Sequence, residues 1–112
     1  MGYKIKSRIW IESNENVLLG EGRVHLLKAI QKTGSLSKAA KSLHISYKKA
    51  WQLLDSVNKS AKKPVTINSI GGKGGGGAEL TDYGKSLVKA FDEINRNCWA
   101  FLDNELKKIE SI

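Results

Sequence analysis

At 112 residues, with 40% hydrophobic and 27% charged side chains, the chain has the composition of a folded protein and material for one modest core, not two. One cysteine, Cys98, excludes an internal disulfide, and without a secretory leader, an acylation signal or a membrane-length apolar run a cytoplasmic protein is expected. The net charge of +8 invites a polyanionic partner and is uneven: residues 1–63 hold 13 Lys and Arg against 4 Asp and Glu, residues 64–112 hold 6 against 7.

In chain order, Tyr3, Ile5, Ile9 and Ile11 alternate with Lys4, Lys6, Arg8 and Glu12, the period-two signature of a half-buried strand, although Ser7 and Trp10 blur it. A turn at 13–16 and a return strand over Val17–Leu19 complete an N-terminal hairpin spanning residues 3–19. From Glu21 to Thr33, Val24, Leu27 and Ile30 share one helical face, and Gly34 stands where a left-handed C-terminal cap is wanted. Ser35 caps a short second helix with Leu36, Ala39, Ala40 and Leu43 inward. Ser46 caps a third, in which Ala50, Leu54 and Val57 face inward while Lys48, Lys49 and Gln52 do not. Pro64 ends the helical region. Short strands within 65–70 and 78–80 flank Gly71–Gly77, six glycines and one lysine. Thr81 and Asp82 then open a long helix over 81–110. Its stripe of Leu87, Phe91, Ile94, Cys98, Leu102, Leu106 and Ile109 is longer than a small domain can cover, so a second subunit is expected against it.

The two short helices joined by Leu43–Ser46, with small Ala39 and Ala40 where the second must cross the first closely, have the arrangement of a helix-turn-helix over residues 35–60. Any two amphipathic helices on a short connection share that outline; the charge separates the readings. Residues 32–63 carry eight lysines and one acidic residue, Asp55, and the third helix opens Tyr47-Lys48-Lys49. Tyr47, Lys48, Lys49 and Gln52 are the expected contacts to base edges and phosphates of duplex DNA, because the first two turns of such a helix go deepest into the major groove. Ser35, Ser37 and Ser46 are candidates for phosphate contacts, and capping their own helices explains them equally well. Trp51 is open between a core wall beside the first helix and a DNA contact.

The run GSLSKAAKSLHISYKKAW, Gly34–Trp51, together with GGKGGGGAELTDYGKSL, Gly71–Leu87, resembles the N-terminal domain of the ModE-type molybdate-responsive repressors, itself similar to the LysR-type DNA-binding domain. The resemblance covers residues 20–105. It implies a mainly α fold with small β-hairpins, a winged helix-turn-helix that binds duplex DNA sequence-specifically as a homodimer, with the third helix in the major groove and the subunits joined through residues 81–110. It also makes residues 65–80 a hairpin wing, with Lys73 and Gly74 at its tip against the sugar-phosphate chain, where glycines permit close approach; the alternative is that the glycine run is only a loop, whose shortening would leave DNA affinity unchanged. The chain stops at Ile112, so molybdate sensing is not carried over, and any effector signal falls to a separate sensor protein or to none. Leu43-His44 departs from the glycine many helix-turn-helix proteins place at the turn.

A rival reading keeps the same fold as a protein-interaction adaptor without specific DNA binding. RNA binding is disfavoured, since the basic region shows no aromatic stacking platform. Gly72–Gly77 satisfies a dinucleotide fingerprint by composition alone, without the strands that motif requires, and Gly84-Lys85-Ser86 has Glu79 where a phosphate loop needs glycine. His25 and His44 lie apart with no cysteine near, so no metal or other cofactor is expected. Cys98 reads as a small core residue, and with no nucleophile and base set evident, no enzyme activity is expected.

Overall fold

The computed structural model describes residues 2–69 and 77–112. Its elements are β1 (Trp10–Ser13), β2 (Asn16–Gly20), α1 (Glu21–Thr33), α2 (Leu36–Ser42), α3 (Tyr47–Ser60), β3 (Thr66–Ser69), β4 (Gly77–Leu80), α4 (Asp82–Glu105) and α5 (Lys107–Glu110). Two antiparallel hairpins, β1-β2 and β3-β4, flank a group of helices, the mainly α architecture the sequence leads one to expect.

The first hairpin is shorter than the alternation suggests. Pairing begins at Trp10, opposite Gly20, rather than at Tyr3, because β2 offers only five residues and the turn between the strands is two residues long. That turn is Asn14-Glu15, both at positive φ (52° and 69°), the requirement of tight hairpin connections. A register shift follows at Ile11/Glu12, where Leu18 is the extra residue of β2. Leu19 thereby reaches the core.

The helices follow their stop and start signals. Gly34 ends α1 in the left-handed region (φ 73°), donating its N–H to the Ile30 carbonyl at 2.7 Å. Ser35, Ser46 and Thr81 each accept a hydrogen bond from the backbone N–H three residues on, at 3.2, 3.0 and 3.0 Å, which satisfies one orphan donor at the starts of α2, α3 and α4. Val24, Leu26, Leu27 and Ile30 of α1, Val57 of α3, Val65, Leu80 of β4, and Val88 and Phe91 of α4 form one buried cluster with Leu19. Each large aliphatic side chain withdrawn from water there stabilises the fold by about 1.5–3 kcal/mol.

The β3-β4 hairpin and α4 are clamped to this core by polar contacts. Asn58, near the end of α3, accepts the Val65 N–H at 2.7 Å and donates to the Thr66 hydroxyl at 3.2 Å. Thr81 donates its hydroxyl to the Pro64 carbonyl at 2.7 Å, and its N–H to the Val65 carbonyl at 2.9 Å. Ala78 donates to the Gly34 carbonyl at 2.9 Å, tying β4 to the end of α1. Gly84 is obligatory: a Cβ there would collide with the Val65 carbonyl oxygen. The sequence Gly84-Lys85-Ser86, which superficially suggests a phosphate loop, thus has its glycine for close packing.

The anticipated helix over 81–110 is interrupted at Leu106, where Ile109 and Glu110 both donate to the Leu106 carbonyl and the last turn tightens. Full burial is confined to the first half of α4: Gly84, Val88 and Phe91 are its buried residues, whereas Ile94 is 49% and Phe101 64% exposed. Cys98 lies half-buried at the surface rather than in the core. The Cα envelope, 61 × 30 × 22 Å, reflects that projecting helix.

Candidate nucleic-acid interface

The crossing of α2 and α3 is built from Ala39, Ala40 and Ala50, all nearly inaccessible. Small side chains let the two backbones approach, and Leu36, Leu43, Ile45, Leu53 and Leu54 fill in around them. The turn between the helices is a Schellman arrangement: His44 N–H bonds to the Lys41 carbonyl and Ile45 N–H to the Ala40 carbonyl, each at 3.1 Å. His44 sits there at φ 57°, the left-handed site that other such turns give to glycine. The departure noted in the sequence therefore leaves the turn geometry unchanged and adds backbone strain.

With Ala50 and Val57 turned inward, the other face of α3 points to water. Tyr47, Lys48, Lys49 and Gln52 are all exposed, on the first two turns. Among the described residues neither Lys48 nor Lys49 has an ion-pair partner, whereas Lys59, further along, is held by Asp55 at 2.9 Å. The helix is thus cationic and uncompensated at its start and neutralised toward its end. Ser46 lies beside this group, its hydroxyl accepting from Lys49 N–H; Ser35 is engaged in the same way with Lys38, and Ser37 is exposed in the first turn of α2. About 10 Å of helix separates Ser35 and Ser37 from the turn into α3. Lys73 and Gly74 lie outside the described residues.

Trp51 resolves against a core wall: it is 52% exposed, on the same face as Lys48 and Gln52. It lines a polar cleft between α3 and the tip of the first hairpin, together with Ser13, Asn14, Asn16, Gln52 and Lys59. Nothing in the sequence signals that the Asn14-Glu15 turn lands beside α3; only the packing of β2 on that helix puts it there. Arg23 of α1, equally unforeseen, crosses to the Ser56 hydroxyl of α3 at 3.3 Å.

Among the described residues no cluster of three His, Cys, Asp or Glu side chains could hold a metal ion, and no helix is long and apolar enough to cross a membrane. What the surface offers instead is a row of donors on a convex helix, geometry suited to a groove.

No protein-family model matches the chain. It is 32% identical over 106 residues to the molybdenum transport protein ModE of Azotobacter vinelandii, covering 95% of this chain and 39% of that one. To the transcriptional regulator ModE of Haemophilus influenzae it is 35% identical over 105 residues, covering 91% and 41%. To the DNA-binding transcriptional dual regulator ModE of Escherichia coli K12 it is 44% identical over 70 residues, covering 62% and 27%. The chain therefore spans at most about two fifths of the length of these relatives. In fold it is similar to the CbnR_DBD-DNA complex structure (TM-score 0.57, 16% identity, 81% of this chain and 97% of that one). It is also similar to ArgP from Mycobacterium tuberculosis (TM-score 0.52, 19% identity, 80% and 30%).

Proposed function

Since the chain is a ModE-like winged-helix domain, we propose that it is a sequence-specific duplex-DNA-binding transcriptional regulator that acts as a homodimer, in the cytoplasm and without catalysis. The observation that carries this reading is the outward first half of α3, where Lys48 and Lys49 stand without acidic partners among the described residues, beside Tyr47 and Gln52 on a helix-turn-helix. An unpaired cationic face on a protruding helix gains most from phosphates, and release of their counterions supplies the affinity.

In this reading α3 enters the major groove. Lys48 and Lys49 approach guanine acceptors or phosphate, Gln52 has the amide that suits adenine, and Tyr47 flanks them. Ser35, Ser37 and Ser46 have hydroxyl donors for the phosphates beside the groove, and Lys73 and Gly74 contact the backbone from the wing. Dimerisation uses the outer half of α4, whose Ile94 and Phe101 are too apolar to remain in water. Two α3 helices related by a two-fold axis then read a pseudo-palindrome with half-sites about 34 Å apart, or a multiple of that.

Titrating salt against binding to random duplex DNA tests the reading. A regulator loses affinity steeply and linearly in log[salt], whereas an adaptor for an acidic protein is weak even at low salt. Selection of genomic fragments with the purified chain completes the test: an enriched pseudo-palindrome is expected, and recovery of no motif overturns the regulator assignment.

A further inference from the structure

Residues 4–13 carry the burial alternation of one continuous strand. Ile5, Ser7, Ile9, Ile11 and Ser13 are half-buried, and Lys4, Lys6, Arg8, Trp10 and Glu12 are exposed. That alternation requires extended backbone. Yet pairing covers only Trp10–Ser13, along one edge, with β2. Among the described residues, no backbone-to-backbone hydrogen bond involves residues 4–8. The segment is seated on α4: Ser7 Oγ lies 3.8 Å from Cys98 Sγ, and Ser7 and Ile9 share a cleft with Phe91, Asn95 and Trp99. It has the side-chain order of a strand, a fixed seat and an open edge, the combination that templates pairing with another chain.

We propose that residues 5–13 of two copies of this chain pair antiparallel about a two-fold axis centred on Ile9, joining the two β1-β2 hairpins into one four-stranded sheet across the dimer. The proposal rests on the homodimer reading above and deepens it. The exposed row of side chains selects the occupant and, together with the length of segment paired, the register. A two-fold axis perpendicular to the sheet keeps inward residues inward in both copies, so opposed positions differ by an even number. Centring on Lys6 opposes Lys6 to itself and Lys4 to Arg8; centring on Ser7 opposes Lys6 to Arg8; centring on Arg8 opposes Arg8 to itself. Centring on Ile9 sets Lys6 against the partner's Glu12 and Arg8 against the partner's Trp10, with no like charges facing; centring on Trp10 or Ile11 also opposes no like charges but pairs only residues 7–13 or 9–13, so the Ile9 register is the longest that avoids repulsion. The inward row then pairs Ile9 with itself and Ser7 with the partner's Ile11. Because the arm lies on the helix that bears Ile94 and Phe101, strand pairing and helix contact form one continuous interface.

The experiment is sedimentation of the full chain and its variants. Lys6→Pro removes a backbone donor that no described residue uses and is expected to raise the dimer dissociation constant about tenfold or more, with thermal stability of the subunit unchanged. Lys6→Glu weakens the dimer, and adding Glu12→Lys restores it. Phe101→Asp probes the helix contact separately. A wild-type dimer indifferent to Lys6→Pro but broken by Phe101→Asp overturns the strand pairing and leaves the helix-mediated dimer standing. A wild-type chain that is monomeric at every concentration, with and without duplex DNA, overturns both. A charge swap that fails to restore what Lys6→Glu removes overturns the Ile9-centred register and the proposal with it.

Discussion

Helices α3 and α4 each bury one face against the same core and leave another uncovered, but the uncovered faces differ in chemistry. On α3 the free face carries Tyr47, Lys48, Lys49 and Gln52, groups that water already satisfies and that only a dense array of anions improves upon. On outer α4 it carries Ile94 and Phe101, which water penalises and another apolar surface relieves. Exposure alone therefore says little. An uncovered cationic face points to a polyanion and an uncovered apolar face to a protein, and here the two point away from a shared core. Each face can therefore be damaged without the other noticing.

The largest effect should come from α3. Lys48→Glu combined with Lys49→Glu replaces two favourable phosphate encounters with two repulsive ones, and operator affinity should fall about a thousandfold, roughly 4 kcal/mol, in a mobility-shift titration. Both side chains are exposed, so unfolding temperature and dimer dissociation constant should not move. Unchanged operator affinity would remove α3 from the interface and break the comparison at its first term.

Next is Gly84→Ala, which drives a methyl group into the Val65 carbonyl at the point where α4 meets the wing base. Backbone against backbone cannot yield as a flexible side chain would, and about 3 kcal/mol of stability should be lost in urea unfolding. Because Gly84 sets how α4 leaves the body, dimerisation and DNA binding should suffer together, unlike the separable changes on either side of it.

Phe101→Asp is the counterpart of the lysine reversal. It should weaken dimerisation by about 2 kcal/mol, roughly thirtyfold, in sedimentation, while leaving subunit stability intact, since Phe101 touches little within its own chain. Binding to a single half-site should persist, whereas binding to the full pseudo-palindrome should fall.

The parts of this molecule legible in the sequence are those decided locally. Ser35, Ser46 and Thr81 announce their helix starts and Gly34 an end, because a cap is a contact between residues three or four apart. The lysines on the free face of α3 follow from helical period alone. What could not be read depends on which distant segment arrives. Tyr3–Ile9 alternates like the rest of a strand, but whether it is paired depends on how far β2 runs. Trp51 has no preference until the core is found to be full without it. Asn58 and Arg23 look unremarkable, and Gly84 looks like part of a phosphate loop, until Val65 and Ser56 come into place against them.

The smallest effect tests where the proposed DNA-binding face ends. His44 adopts φ 57° at the turn before α3, a region that costs a residue with a side chain about 1–2 kcal/mol and glycine almost nothing. Glycine gives back part of that gain, about 0.5–1 kcal/mol, through the extra freedom of its unfolded chain. His44→Gly should therefore stabilise the domain by about 0.5–1 kcal/mol, a rise of a few degrees in unfolding temperature. The imidazole is exposed and no described hydrogen bond uses it, so if the face begins at Ser46, operator affinity should be unchanged. A variant that is more stable yet binds DNA more weakly would show that the imidazole itself reaches the duplex. The strained backbone would then be the cost of a contact that glycine cannot make, and the cationic face would extend from α3 back through the turn.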